Sequence, residues 1–119
     1  FAERKPQNYA ENLGGALFAP MSLEYADKNT RAAHFVARLQ KVPAFITVAM
    51  ANLKASNEIY RKVALESNDG VISLVKELGP DFVKGTPSEA AFEQAKGPAL
   101  AALDSYAVFI KDELPKRTS

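Results

Sequence analysis

The sequence predicts an all-α protein: an antiparallel bundle of four to five helices, bent at prolines. Three observations carry that expectation. Alanine, leucine, lysine and glutamate are plentiful, whereas the alternation of β-branched residues that marks a strand is absent. Apolar residues recur three and four apart in every long segment. The connections between those segments are short, which favours antiparallel neighbours. With 119 residues, 47% of them hydrophobic, a single helical domain over 1–119 has the material for a core.

The first helix is expected to start at Asn8, which can cap, with Glu11 three residues on as in a capping box. Tyr9, Leu13, Ala16 and Leu17 follow at helical spacing. Gly14 and Gly15 each cost about 1 kcal/mol relative to alanine, and the plain reason to keep them is a tight helix crossing. Pro20 removes an amide and crowds the preceding turn, so a kink or a division is expected there. The second helix starts from a cap at Asp27 or Asn29 and turns Ala32, Phe35, Val36 and Leu39 to one side. Arg31, His34 and Arg38 lie on another face, read as solvated.

Pro43 stands in the middle of an otherwise amphipathic stretch, Ala37 to Ser56. Proline is welcome in the first turn of a helix, where its missing amide would be unpaired anyway. It therefore marks the start of a third helix or a sharp kink, with Val42 out of the regular ladder. That helix places Phe45 or Ile46, Ala49, Met50 and Leu53 inward. A short turn follows, with Ser56 or Asn57 capping the next helix.

In that next helix Ile59, Val63, Val71, Leu74, Val75 and Leu78 make the expected stripe. The patch Glu66 to Gly70 interrupts it and predicts a bend or a solvent-facing turn. Gly79 and Pro80 are expected to end the helix. A loop leads to the clearest local signal: Thr86 as cap, Pro87 at the first helical position, Glu89 closing a capping box. Phe92, Ala95, Ala99, Leu103, Ala107, Ile110 and Leu114 then form a long stripe, kinked at Lys96 to Pro98 and ended by Pro115. Residue-by-residue comparison reveals no internal repeat.

Little in the chain looks like chemistry. Fifteen basic and fourteen acidic side chains leave a net charge of +1, which argues against nucleic acid as a partner. The absence of cysteine excludes disulfides, thiolate zinc sites and cysteine nucleophiles. His34 is the single histidine and is followed by Phe35, so it does not open a His-Glu-x-x-His zinc motif. No nucleophile elbow and no glycine-rich phosphate loop occurs. Glu66 with Asp69, and Asp112 with Glu113, are carboxylate pairs best read as solvated. Tyr9, Tyr25, Tyr60 and Tyr106 are read as tyrosines at the edge of the core. No apolar run approaches the roughly 20 residues a bilayer requires. The first residues carry neither an initiator methionine nor a signal-peptide pattern, so the chain is expected to begin inside a larger gene product or after processing. No catalytic, cofactor-binding or metal-binding residue is assigned.

The run from Arg31 to Lys54, with its arginine–leucine, hydrophobic–proline and alanine–asparagine–leucine order, resembles a bacterial family, the domain-of-unknown-function family numbered 885. Asn8 to Ala26, Asn57 to Glu66 and Gly97 to Arg117 agree with flanking parts of that family. The resemblance rests on helix-packing residues. It implies a long helical parent, often exported or lipid-anchored, and so a periplasmic or secreted setting. It also implies kinship with zinc-dependent peptidases, whose histidine–glutamate motif lies far toward the C-terminus and is missing here. What carries over is scaffold: Arg38, Leu39, Pro43, Ala51, Asn52 and Leu53 match the pattern. The expected function is that of a non-catalytic helical segment that needs no cofactor of its own and partners the rest of its parent. The alternative is an autonomous interaction or homodimerisation module. If the resemblance holds, the chain alone is expected to lack hydrolytic activity and to self-associate through faces left bare by the missing parent, Gly14 to Ala16 and Ala99 to Ala107.

Overall fold

Where each helix begins and ends follows mainly from where prolines and capping side chains fall. The computed structural model describes the backbone of residues 6–53 and 58–116 and the side chains from Asn12 onward. Six α-helical segments occupy them: α1 (Pro6–Ser22), α2 (Lys28–Gln40), α3 (Val42–Asn52), α4 (Glu58–Ser73), α5 (Gly79–Val83) and α6 (Glu89–Val108). A π turn, Leu74–Leu78, joins α4 to α5. A second, Phe109–Glu113, followed by a 3-10 turn, Leu114–Lys116, extends α6. The described residues thus make five unbroken helical runs and no strand.

α1 is already helical at Pro6, so Asn8 lies inside it and is not its cap. Pro20 does not divide α1, which continues to Ser22. α2 is capped by Asp27, whose Oδ1 accepts from the Thr30 amide at 2.7 Å. Pro43 sits in the first turn of α3, as the sequence predicts. The break falls one residue earlier than expected: Lys41 is the shared cap, and Val42 already belongs to the helix. The expected caps at Ser56 and Asn57 lie outside the described residues.

The predicted stripe of α4 is partly wrong. Ile59 is 71% exposed and Leu78 48%, while the inward line is Ala64, Asn68, Val71 and Val75. That line has the helical 4-3-4 spacing and runs through the Glu66 to Gly70 patch, which does not break the helix; Glu66, Asp69 and Gly70 face solvent, as one of the two expectations had it. Gly79 and Pro80 do not end the run either. Gly79 is helical (φ −56°) and lets the Phe92 ring approach, since a Cβ there would lie 2.7 Å from Phe92 Cε1.

The two π turns share one cause. Leu74 O accepts from the Gly79 amide and Phe109 O from the Leu114 amide, and in both cases proline is the next residue. A proline cannot donate to the carbonyl four residues back and its ring crowds that turn; a turn widened by one residue makes room. The local sequences match position by position: Leu74-Val75-Lys76-Glu77 ahead of Pro80, and Phe109-Ile110-Lys111-Asp112 ahead of Pro115. Val75 and Ile110, equivalent in the two, are both fully buried. The two positions before the proline differ, Leu78 and Gly79 against Glu113 and Leu114, so the likeness is one of local turns and not an internal repeat.

The capping box before α6 is shifted. Thr86 Oγ1 accepts from the Ser88 amide at 3.2 Å, and Glu89 reaches back to the Gly85 amide at 2.9 Å, so the helix starts at Glu89 and not at Pro87. Gly85 takes φ +79° in that turn, where a Cβ-free residue is favoured. Pro98 lies inside α6, which stays continuous. Its inward residues Phe92, Ala95, Ala99, Leu103, Ile110 and Leu114 are as expected; Tyr106 joins them, and Ala107 is only half-buried.

α1 and α2 are antiparallel, since Arg31 reaches Pro20 while Arg38 reaches Ala16. α4 and α6 are antiparallel too: Gly79 meets Phe92, and Asn68 meets Leu103. α2 and α3 pack on α6, and α1 on α4 and α2. Phe35 is the hinge of the core, edge-on to Phe82 at 5.8 Å and stacked on Phe92 at 5.9 Å. One continuous apolar cluster runs from Leu13 to Leu114 inside a body of 47 × 27 × 20 Å. Each large side chain in it contributes roughly 1.5–3 kcal/mol.

Candidate functional site

The face of α2 read as solvated does meet solvent at His34 and Arg38, with Arg31 half-buried, and its side chains are bonded as well. Pro20 has no amide to offer the carbonyl four residues back, so Ala16 O loses its regular intrahelical donor. Arg38 Nη1 donates to that oxygen at 2.7 Å. Arg31 Nη1 donates to Pro20 O at 3.2 Å and its Nε to Ala26 O at 3.0 Å. Both carbonyls lie at or beyond the C-terminal end of α1, where cations also meet the negative end of the helix dipole. Arg31 continues over the Phe82 ring at 5.8 Å, so one guanidinium ties α1, α2 and α5. His34, between the two arginines, stacks on Tyr25 with ring centres 5.7 Å apart, and its Nδ1 lies 2.8 Å from the Tyr25 hydroxyl. The three side chains therefore fasten α1 and the connection after it; they do not assemble a catalytic group.

Beside this clamp lies an open hollow of about 190 Å³. It is lined by Asn12, Leu13 and Ala16 of α1, by Arg38 of α2, by Lys41 and by Phe45 of α3. Its lining is largely apolar, and no acidic side chain among the described residues belongs to it. A second hollow, of about 210 Å³, is lined by Gln40, Pro43, Gln94, Ala95 and Pro98. A third, of about 340 Å³, lies between the start of α4 and the end of α6, among Arg61, Lys62, Leu65, Ile110 and Lys111.

α3 has an unusual composition for a surface helix. No residue from Val42 to Asn52 is charged. Val42, Ile46 and Ala49 are buried, while Ala44, Thr47, Val48 and Ala51 face outward, Val48 at 55% exposure. Thr47 Oγ1 and Asn52 Nδ2 donate back to carbonyls of α3 itself, Pro43 O at 3.0 Å and Val48 O at 2.9 Å. Asn52, one of the residues in the alanine–asparagine–leucine pattern, thus serves its own helix end.

The remaining residues singled out from the sequence are dispersed. Glu66 and Asp69 are exposed, as are Asp112 and Glu113, and Glu113 pairs with Lys116 at 3.8 Å. Tyr60 is half-buried, and Tyr106 is not at the core's edge but 1% exposed, stacked on Phe109. The side chain of Tyr9 is outside the described residues. Among the described residues no group of three or more His, Asp or Glu side chains gathers as metal ligands. No helix among them is long and apolar enough to cross a membrane. The expected contact faces are corrected in part: Gly14 packs on α4, with Val71 Cγ2 3.4 Å from a Cβ placed there, and Ala99 and Leu103 lie in the core.

One polar residue escaped the sequence reading. Asn68, 1% exposed, donates from Nδ2 to Leu103 O at 2.9 Å and joins α4 to α6. The signal was available as the 4-3-4 line through Ala64 and Val71, but a polar patch hid it.

No family model, curated protein or solved structure matches this chain.

Proposed function

We propose that this chain is a non-catalytic helical scaffold segment of a protein resembling family 885, and that further helical structure of that protein covers the outer face of α3. The observation that carries the reading is the uncharged α3, with Ala44, Val48 and Ala51 turned to water. A surface helix normally opposes its apolar face with charged residues. Apolar area left in water forgoes roughly 25 cal/mol per Å² of stabilisation that a covering partner supplies. The peptidase chemistry implied by the resemblance belongs, in this reading, to the parent protein, with this segment as a wall or support. Two experiments test it. Reading the gene beyond Ser119 is expected to reveal a histidine–glutamate zinc motif. Val48→Lys is expected to leave the chain alone folded but to destabilise the whole gene product; equal tolerance in both contradicts the proposal.

A second reading is an autonomous interaction module. It is favoured by the continuity of the core, which closes around Phe35, Leu39, Leu103 and Tyr106 within this one chain. Under it, the same face of α3 meets a separate partner.

A further inference from the structure

A different surface supports an inference that does not depend on α3 being covered. The hollow between α1 and α3 is lined by apolar residues, Leu13, Ala16 and Phe45, and by two cations, Arg38 and Lys41. Among the described residues neither cation has a carboxylate within 4.0 Å. At about 190 Å³, and open to solvent, it is smaller than the roughly 300–1,000 Å³ of small-molecule sites. It fits a single apolar anchor side chain with an acidic neighbour, the arrangement in which one helix docks in the groove of another.

The same chain presents that counterpart. Val108 of α6 is 55% exposed. Asp104 and Asp112 stand one turn before and one turn after it, on the same face, both exposed. Among the described residues neither aspartate has a cation within 4.0 Å. Lys111, next to Asp112 in the chain, lines the hollow on the α4 side of α6. One surface thus offers an apolar recess lined by two cations, and another an apolar knob with an aspartate one turn to either side, none of the four in an ion pair among the described residues. Complementary potentials of this kind set register and partner choice more than affinity.

We propose that the hollow lined by Leu13, Ala16 and Phe45 receives Val108 from a second copy of this chain, with Asp104 and Asp112 of that copy meeting Arg38 and Lys41. The contact is heterologous: recess and knob are separate patches, so each copy keeps one of each free and association continues as a ring or a row. With one central anchor it belongs to the small, transient class of interface, and its charges make it weaken with salt.

Sedimentation velocity of the chain over a wide concentration range, at low and high salt, reads the association. Circular dichroism checks the fold of each variant, and all the altered residues are exposed. Val108→Lys, Lys41→Glu and the pair Asp104→Lys with Asp112→Lys are each expected to weaken association about tenfold or more. Combining Lys41→Glu with Asp104→Lys alone, or with Asp112→Lys alone, swaps the signs of one pair and leaves the other aspartate to Arg38; one of these two combined variants is expected to restore most of the association. A chain that stays monomeric throughout overturns the inference. So does association that is indifferent to these variants, or that neither combined variant recovers.

Discussion

Arg38 Nη1 lies 2.7 Å from the carbonyl oxygen of Ala16, the acceptor that Pro20 leaves without its regular donor. Twenty-two residues separate the two partners, and a proline in a third position makes the bond necessary. A charge-assisted hydrogen bond contributes roughly 1.5–3 kcal/mol where water is excluded, and less at an exposed guanidinium. Arg38→Met, which keeps much of the aliphatic stem, is therefore expected to cost about 1 kcal/mol in urea denaturation. In a Pro20→Ala background the helix regains its own donor, and the same substitution is expected to cost far less. Equal costs in the two backgrounds contradict this account of the arginine.

The glycines divide by what surrounds them. Gly79→Ala drives a methyl against the Phe92 ring, 2.7 and 2.8 Å from its Cε1 and Cζ, and is expected to cost about 1–3 kcal/mol. Gly97 is helical with open space beside it, so Gly97→Ala is expected to gain up to about 1 kcal/mol. Thermal denaturation of the two variants should move the midpoint in opposite directions. A tolerated Gly79→Ala means that the Phe92 ring has room to yield.

Asn68→Ala removes the buried donor to Leu103 O and leaves a small cavity, at an expected cost of about 1–3 kcal/mol. Asn68→Asp is expected to cost more at neutral pH, because it turns a carboxylate toward a carbonyl oxygen with little water near. Burial raises the folded-state value of such a carboxyl above its unfolded one. The penalty should therefore shrink below the unfolded value and grow as pH rises through the folded one. Denaturant midpoints at acid and neutral pH check the sign.

Asp27 acts in the opposite sense. The Thr30 amide, then the Thr30 hydroxyl, and beyond them the Arg31 charge hold its carboxyl below its ordinary value of 3.8. A lowered folded-state value stabilises the protein above the unfolded value, and that contribution is lost as pH falls through the folded one. Asp27→Asn keeps an accepting oxygen without the titration. Comparing unfolding below about pH 4, the wild type should lose part of its advantage over this variant on acidification. A constant difference between the two contradicts the role of the charge.

Pro43 is expected to be nearly neutral. Its missing amide falls in the first turn of α3, so Pro43→Ala should change stability by no more than about 1 kcal/mol in either direction. A loss of several kcal/mol in urea denaturation means that the junction at Lys41 depends on the ring.

The helix class, the inward faces of α2 and α6 and the place of Pro43 were legible in the sequence, because apolar spacing and first-turn proline are local signals. The inward face of α4 was not: Ile59 and Val63 are large and apolar but exposed, while Asn68 is polar but bonded across to α6. Hydrophobic patterning cannot see a polar side chain whose partner is thirty-five residues away. The same limit hid the clamp. Arg31, His34 and Arg38 look like a solvated face until Pro20 and the connection after α1 are laid against it. Gly79 followed by Pro80 reads locally as a stop, and a packed ring and a widened turn carry the helix through.

The central claim is that α3 is covered in the whole gene product. This chain contains no cysteine, so Val48→Cys places one traceable thiol on the outward face of α3. The direct measurement is its alkylation rate, followed by peptide mass spectrometry, in the chain alone and in the gene product purified from its cell. The account predicts rapid labelling in the chain and strong protection in the gene product. Equally rapid labelling in both contradicts it.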